Sequence, residues 1–142
     1  MSKVWLYEGK PYDPPYEDIP EDVLGFVYII TDNETGEKYI GQKRMRKPKT
    51  LPKTKTRKRR VKTVVESDWR DYYSSNEVIK ENVSQDRSDR YTREILHFGK
   101  SKGDLSYLET KEQFDRNVLM DDTYLNGIIN CRIHQKHLSW NK

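Results

Sequence analysis

The sequence is poor in cysteine, histidine and long apolar runs, and each shortage excludes a class of protein. With a single cysteine, Cys131, the chain can form no intrachain disulfide. A cysteine-rich zinc site is also excluded, because the only other soft ligands are three histidines, His97, His134 and His137. No apolar run approaches the roughly 18 residues that span a bilayer, and no signal-peptide pattern opens the chain. We therefore expect an intracellular, cytoplasmic protein with no membrane partner. His134 and His137 have a spacing that two metal ligands could use, but a polar face of the tail is the favoured interpretation.

Hydrophobic residues are also scarce, at 33% of 142 residues against 35% charged residues, so we expect one domain with a small core. The formal net charge of +4 conceals an asymmetry. Twelve of the 27 basic residues lie between Lys43 and Lys62, where there is no acidic residue, and the rest of the chain carries a net charge of −8. One dense cationic segment on an acidic chain predicts a localised contact with a polyanion.

The basic segment 43–62, KRMRKPKTLPKTKTRKRRVK, has two interpretations. Pro48 and Pro52 disfavour a helix, and repulsion among like charges disfavours compact structure, so a solvated, disordered loop is the simpler one. The functional interpretation is a flexible loop that grips phosphates without base selectivity. Its candidate nucleic-acid contacts are Lys43, Arg44, Arg46, Arg57, Lys58, Arg59 and Arg60.

The stretch Gly25–Gly41, GFVYIITDNETGEKYIG, predicts a β-hairpin. Apolar, β-branched and aromatic residues in 26–31 and 38–42 flank Asp-Asn-Glu-Thr-Gly, whose residues tolerate turn geometry. The hairpin places Tyr28 and Tyr39 on paired strands, close enough to act together. Half-buried packing residues are the alternative interpretation of both tyrosines.

The other segments predict a small α+β domain. Proline-rich residues 1–24 suit an extended arm outside the core, docked by Trp5–Tyr7. Ser74 and Glu77 form a capping box for a helix over 75–82, and residues 90–98 have the composition of a third strand. Asp104 then caps a helix over 105–119 whose apolar face carries a carboxylate, Glu109, at its rim. The fold predicted is a three-stranded, largely antiparallel sheet flanked by helices.

Two tripeptides in the hairpin, Val27-Tyr28-Ile29 and Tyr39-Ile40-Gly41, resemble the paired signatures of the GIY-YIG nuclease family. The second is verbatim, whereas Phe-Val-Tyr stands where the first usually has Gly-Ile-Tyr. Three further segments are similar to the family's phage-type branch: Trp-x-x-Tyr-x-Ser-Ser at 69–75, Tyr-Leu-Glu at 107–109 and Tyr-Leu-Asn-Gly-Ile at 124–128. The resemblance covers residues 25–130 and leaves 131–142 as a tail.

This resemblance implies a metal-dependent endonuclease that hydrolyses DNA phosphodiester bonds. It implies that one of Tyr28 and Tyr39 assists the attacking water while the other orients the phosphate. A phenol has a pKa of about 10, so a tyrosine base needs neighbouring cations to lower it, and the basic segment after Gly41 is their expected source. The resemblance gives Glu109 the role of sole protein ligand to Mg²⁺, with Mn²⁺ as a substitute and Glu112 as the fallback ligand. It also makes Asn126 the family's terminal asparagine.

The family's arginine has no fixed counterpart, because the basic segment separates the second signature from the next helix. Arg70 is one candidate for the contact with the scissile phosphate, and Lys43 and Arg44 are its rivals. The competing class of function is a non-catalytic nucleic-acid-binding module with the same hairpin and basic segment. A structural protein that grips RNA through the segment is a third, less favoured hypothesis.

Overall fold

The computed structural model describes residues 4–56, 58–59 and 61–140, which form seven strands and two α-helices. The strands are β1 (Trp5–Tyr7), β2 (Lys10–Tyr12), β3 (Gly25–Asp32), β4 (Lys38–Arg44), β5 (Arg46–Leu51), β6 (Val61–Glu66) and β7 (Tyr91–Gly99). The helices are α1 (Glu77–Ser84) and α2 (Lys102–Asp115). The α+β class predicted from sequence is confirmed. Within the described residues, neither helix has both the length and the apolar character needed to cross a bilayer.

The main sheet differs from the three-stranded prediction, because it has five strands in the order β2-β1-β7-β3-β4. The β3–β4 hairpin and the antiparallel β3–β7 pair are as expected, but β1 pairs with β7 in parallel and makes the sheet mixed. The predicted turn closes the hairpin: Asp32 Oδ1 accepts the backbone N–H of Glu34, and Gly36 has a φ of 81° that favours glycine.

The prediction that residues 1–24 lie outside the core is wrong for β1. The Trp5 side chain is 1% exposed, and its indole N–H donates to the backbone carbonyl of Trp69 at 2.7 Å. Tyr7 packs edge-on against Phe98 of β7 with ring centroids 4.9 Å apart. Proline content and acidic charge predicted an arm because they describe only the local chain, whereas the parallel pairing with β7 is a contact across nearly ninety positions.

The basic segment is also more ordered than expected. Strands β5 and β6 pair antiparallel along six residues each and form a separate two-stranded sheet. Pro48 is accommodated because an edge strand can spare a backbone donor. Ladder hydrogen bonds between the two strands overcome the charge repulsion that predicted a loop.

The helix caps differ from the predicted ones by two and three positions. Asn76, rather than Ser74, caps α1, since its side chain accepts the N–H groups of Val78 and Ile79. Ser101 caps α2 at Asp104 N, so this helix starts three residues earlier than predicted and ends at Asp115. Its buried face also differs from the apolar face predicted from the sequence, because Phe114, one of the apolar residues of that face, is 65% exposed.

Two clusters of buried side chains cover the two faces of the main sheet. The first is mainly aromatic and lies on the face that carries the signature tyrosines. It is built mainly from Trp5, Phe26, Tyr28, Ile30, Met45, Trp69, Ile79 and Ile95. The second is aliphatic, lies under α2, and contains Val27, Ile29, Ile40, Leu105 and Val118. Alternation along β3 and β4 therefore decides which residues face the tyrosines and which face α2.

Candidate active site

The two signature tyrosines project from the same face of the β3–β4 hairpin. Tyr28 pairs with Gly41 and Tyr39 with Ile30, and paired residues of an antiparallel ladder point to the same side. The two rings lie 6.5 Å apart between centroids. The hairpin geometry that the sequence predicted is confirmed, and β4 is the edge strand of the sheet.

Gly41 is needed because the Tyr28 ring crosses directly over it. A Cβ atom built on Gly41 would lie 2.5 Å from Tyr28 Oη and 3.1 Å from the Tyr39 ring. Any side chain there would displace one of the phenols. The glycine of the second signature thus lets the Tyr28 ring lie across β4, with its hydroxyl over Gly41.

Tyr28 has a buried phenol that is held in its neutral form. The residue is 1% exposed, and burial raises its pKa well above 10.0. Repulsion from the neighbouring phenols and a side-chain hydrogen bond to Tyr72 raise the pKa further. The cations of the basic segment therefore do not lower the pKa of this tyrosine, contrary to the expectation from sequence.

Tyr39 is the more accessible of the two phenols. Burial again raises its pKa, but a hydrogen bond to the side chain of Ser75 acts in the opposite direction. Repulsion from the Glu109 carboxylate is a further cause of the increase. A group that brought positive charge near Glu109 would relieve this repulsion and favour loss of the Tyr39 proton.

Glu109 approaches the same edge of β4 from α2. Its Oε1 accepts a hydrogen bond from Gln42 Nε2 at 2.9 Å, and among the described residues its Oε2 receives none. Gln42 follows Gly41 and, by alternation, points to the α2 face. Burial raises the pKa of Glu109 above 4.5, and the bond from Gln42 offsets part of the rise. The carboxylate is thus poorly solvated when it is ionised.

A pocket of about 230 Å³ opens beside Tyr39 and Glu109. Polar groups on its wall come from Gln113 of α2 and from Asn126 and Asn130 of the C-terminal segment. This is the place where a phenol hydroxyl and a carboxylate face one common space. An attacking water and a phosphate oxygen both need such neighbours.

Asn126 holds the strand that carries Tyr39. Its Oδ1 accepts the Ile40 N–H at 3.0 Å and its Nδ2 donates to the Ile40 carbonyl at 2.8 Å. The neighbouring backbone continues the contact, since Leu125 N–H donates to the Lys38 carbonyl. Because both ends of its amide are used in this way, the structure gives Asn126 a positioning role beside the pocket.

A comparison with protein families identifies the chain. Residues 5–129 match the family model described as "Putative endonuclease segE, GIY-YIG domain". The chain belongs to the GIY-YIG endonuclease family. The match begins at β1, so the GIY-YIG domain includes the N-terminal strands that the sequence had assigned to an arm. Neither the curated proteins nor the solved structures contain a match to this chain.

Arg70 occupies a position that is unfavourable for the arginine role of a GIY-YIG nuclease. Its guanidinium forms ion pairs with Asp13 at 2.5 Å and Glu66 at 3.1 Å, and it stacks over the Trp69 ring. These partners hold it beside β6 and the N-terminal segment. Its charge is used within the fold.

Lys43 is connected to Tyr28 through the ring of Tyr72. It shares a strand face with Gly41, and its ammonium lies 4.1 Å from the centroid of the Tyr72 ring. Tyr72 in turn contacts Tyr28 with centroids 6.1 Å apart. Lys43 also pairs with Asp68 at 2.7 Å, but that carboxylate is 74% exposed and can be displaced by another anion.

The remaining predicted nucleic-acid contacts fall into different settings. Arg46 is bound to the fold, because its guanidinium donates to the backbone carbonyls of Ile19, Pro20 and Val23. Arg44 is partly buried, whereas Lys58 and Arg59 are exposed. The other two predicted contacts, Arg57 and Arg60, lie outside the described residues.

The protein offers a single carboxylate as a metal ligand at this site. Among the described residues, no group of three or more His, Cys, Asp or Glu side chains could hold a metal ion. GIY-YIG nucleases generally use a divalent ion, and Mg²⁺ keeps several of its waters and binds through one or two carboxylates. A partly buried Glu109 with one oxygen free of hydrogen bonds, next to a polar pocket, fits that mode of binding.

Glu112, the fallback ligand, is engaged elsewhere. It accepts hydrogen bonds from His97 and Arg116, each at 2.8 Å. Gln42, Tyr72 and Ser75 contact the site residues but were not among the predicted ones. Tyr72 and Ser75 belong to the segment 69–75 that resembles the family, and that resemblance is the signal that could have identified them. Gln42 follows Gly41, and the period of two along β4 directs it to the α2 face, where Glu109 lies.

Proposed function

We propose that this chain is a metal-dependent endonuclease that hydrolyses DNA phosphodiester bonds. The observation that carries the proposal is the approach of Tyr39 and Glu109 to one polar pocket, with Tyr28 packed beside Tyr39 across a glycine that has no room for a side chain. A phenol and a carboxylate that line a polar pocket provide groups that activate water and stabilise a phosphate. The family match over residues 5–129 makes DNA the expected substrate.

Tyr39 is the better placed of the two phenols to contact the attacking water. It lines the pocket with Glu109, and its hydrogen bond with Ser75 favours the phenolate. Tyr28 is covered and held neutral. Its side chain forms a hydrogen bond with Tyr72 and so fixes the direction of the neighbouring rings. We therefore assign Tyr39 the transfer of a proton from water, and we assign Tyr28 an indirect part in orienting the phosphate through the Tyr39 and Tyr72 rings that it contacts.

Glu109 would hold Mg²⁺, or Mn²⁺ in its place, through Oε2. When bound, such an ion supplies a Lewis acid for the phosphate oxygens and for the leaving oxygen. Gln42 fixes the rotamer of Glu109 through Oε1, so that the second oxygen faces the pocket. Because burial raises the pKa of Glu109, protons compete with the metal ion for this carboxylate as the pH falls.

Lys43 takes the place of the family arginine in this proposal. Its side chain is 20% exposed, and its ammonium is held over Tyr72 at the end of β4, where a phosphate could displace Asp68. A cation at this point stabilises negative charge that develops on the phosphate. Arg70 is left with a structural role between Asp13 and Glu66.

The alternative is a non-catalytic nucleic-acid-binding module. The observations that favour it are the raised pKa of both tyrosines and the ion pairs that occupy Arg70. Supercoiled plasmid incubated with the full chain separates the two functions. We expect nicked or linear DNA with Mg²⁺ and none with EDTA or with the Glu109→Gln variant. Retarded but uncut plasmid in Mg²⁺ and in Mn²⁺ would leave only the binding function.

A further inference from the structure

The β5–β6 hairpin, hereafter the basic ribbon (residues 46–66), is a two-stranded sheet with no third strand among the described residues. Six paired residues in each strand give it a length of about 20 Å at ~3.4 Å per residue. Beyond its paired part the tip carries Lys53, Lys55, Lys58 and Arg59, all exposed. Its only acidic residue, Glu66, lies at the base and is paired with Arg70. The ribbon is thus a long cationic projection.

The cations of the ribbon lie on both of its faces. Lys47 and Lys49 share one face, because they pair with Val65 and Thr63 and are two positions apart. Lys62, paired with Thr50, points to the other face. A ribbon that lay flat on a polyanion would need charge on one face only. Charge on both faces suits a site with phosphates on two sides.

The base of the ribbon is fixed to the nuclease domain. Met45, between β4 and β5, is 0% exposed, and Ser67 returns the chain with hydrogen bonds to the backbone carbonyls of Met45 and Arg44. Arg46 adds its bonds to three carbonyls of the segment before β3. Because β4 leads into β5 through this anchor, the orientation of the ribbon is set relative to the tyrosines.

We propose that the basic ribbon inserts into the major groove of duplex B-DNA beside the bond to be cut. The groove is about 12 Å wide, admits a two-stranded ribbon, and has a phosphate backbone along each wall. Lys47 and Lys49 then face one backbone and Lys62 the other. Thr63 shares the face of Lys47 and Lys49, and Thr50 shares the face of Lys62, so each threonine adds a hydroxyl group towards a phosphate backbone. The identity of the ligand rests on the proposed function, whereas the mode of binding rests on the ribbon itself.

The groove also defines what the ribbon excludes. The major groove of A-form RNA is too deep and narrow for protein side chains to enter, so an RNA duplex of the same sequence cannot accept the ribbon. Since the anchor joins the ribbon to β4, its contacts lie within about one helical turn, or about 10 bp, of the cut. The ribbon therefore adds both affinity and a preference for B-form duplex near the scissile phosphate.

The test uses the full chain in EDTA, so that the DNA stays intact. The ribbon variant carries Lys47→Gln, Lys49→Gln and Lys62→Gln together. The matched control removes three exposed lysines from other elements, Lys10→Gln, Lys80→Gln and Lys102→Gln. Thermal melting confirms that both variants are folded. Binding to a duplex of about 30 bp, or three helical turns, is then measured by fluorescence anisotropy across a range of salt concentrations.

We expect the ribbon variant to lose about 2.7 from the slope of log K against log salt, or about 40-fold less weakening between 50 and 200 mM salt. The control should change the slope by less than about 1, and the RNA duplex should show no difference between wild type and the ribbon variant. Equal slopes for the ribbon variant and the control would overturn the proposal.

Methylation by dimethyl sulfate identifies the groove. Guanine N7 lies in the major groove and adenine N3 in the minor groove. We expect the wild type, but not the ribbon variant, to protect N7 while N3 stays reactive. Protection of N3 alone, or of neither atom at saturating protein, would refute groove insertion. Cleavage is scored separately in Mg²⁺: N7 protection by a chain that never cuts would leave the ribbon inference intact and end the nuclease proposal.

Discussion

Replacing Glu109 by glutamine separates the chemical role of this carboxylate from its structural role. The substituted amide keeps the length of the side chain, and its oxygen can still accept the hydrogen bond that Gln42 donates to Glu109 at 2.9 Å. The change removes only the negative charge, and a neutral amide is a poor ligand for a hard dication. We expect cleavage to fall at least a hundredfold, since a Lewis acid contributes several kcal/mol and each ~1.4 kcal/mol is tenfold in rate.

Stability should move in the opposite direction to activity. Burial raises the pKa of Glu109 above 4.5, so the folded chain holds this proton more tightly than the unfolded chain. The contribution of Glu109 to stability therefore decreases as the pH rises through the pKa that this group has in the folded chain. At pH 7 the ionised carboxylate destabilises the fold slightly. Glu109→Gln removes the penalty, so the melting temperature at pH 7 should stay equal or rise. The free energy of unfolding should change by no more than about 0.5 kcal/mol.

Glu112→Gln is the matched control on the next turn of α2. Burial works against it, but hydrogen bonds from Arg116 and His97 lower the pKa of Glu112 below 4.5. Its stabilisation is present at neutral pH and is lost as the pH falls. Glu112→Gln should thus cost about 1 kcal/mol and keep cleavage.

Cleavage is measured as the rate of plasmid nicking, and DNA affinity as duplex binding in EDTA. Stability is measured by thermal melts at pH 5 and pH 7. Glu109→Gln should bind DNA as tightly as wild type or more tightly, because a negative charge near the phosphate is gone. If Glu112→Gln is the inactive variant and Glu109→Gln cuts normally, the metal ligand has been assigned to the wrong turn of α2. If both variants cut, the proposed mechanism fails.

Three further predictions concern the tyrosine face of the hairpin. Tyr39→Phe and Tyr28→Phe should each fold normally and cut ~10²–10⁴-fold more slowly. Tyr28→Phe also leaves the hydrogen-bond partner of Tyr28 unsatisfied. Wild-type cleavage rates with matched melting temperatures would make either phenol a packing residue. Gly41→Ala should destabilise the chain by about 1–3 kcal/mol in denaturant titrations, because its Cβ would lie 2.5 Å from Tyr28 Oη, and an unchanged midpoint would contradict the close approach. Lys43→Gln should slow cleavage with little change in stability, whereas Arg70→Gln should lower the melting temperature and leave the cleavage rate unchanged. The reverse pattern would assign the role of the family arginine to Arg70.

The sequence by itself determined the parts of this protein that depend on neighbours along the chain. The hairpin, its Asp-to-Gly turn, the extended conformation of residues 90–98 and the proximity of Tyr28 and Tyr39 follow from turn chemistry and the period of two. These features are local, so their residues carry the information within a few positions. The family assignment followed from the two hairpin signatures and three further segments, and the match over residues 5–129 confirms it.

The tertiary structure decided what depends on distant partners. Trp5 belongs to the core because β1 pairs in parallel with β7, a pairing that no local pattern encodes. The basic segment forms a ribbon because two strands about fifteen positions apart satisfy each other's backbone groups, which outweighs their like charges. Arg70 is diverted to Asp13 and Glu66 by the folding of the N-terminal segment beside it.

The protonation of the site is the clearest case of a property that sequence could not supply. The charge pattern suggested cations that would lower the pKa of a tyrosine, but the pKa depends on burial first. Tyr28 lies under the aromatic cluster and Glu109 between α2 and β4, so desolvation raises both pKa values. Only the packing of β-strand against helix fixes how much water each group loses, and with it the chemistry that each can perform.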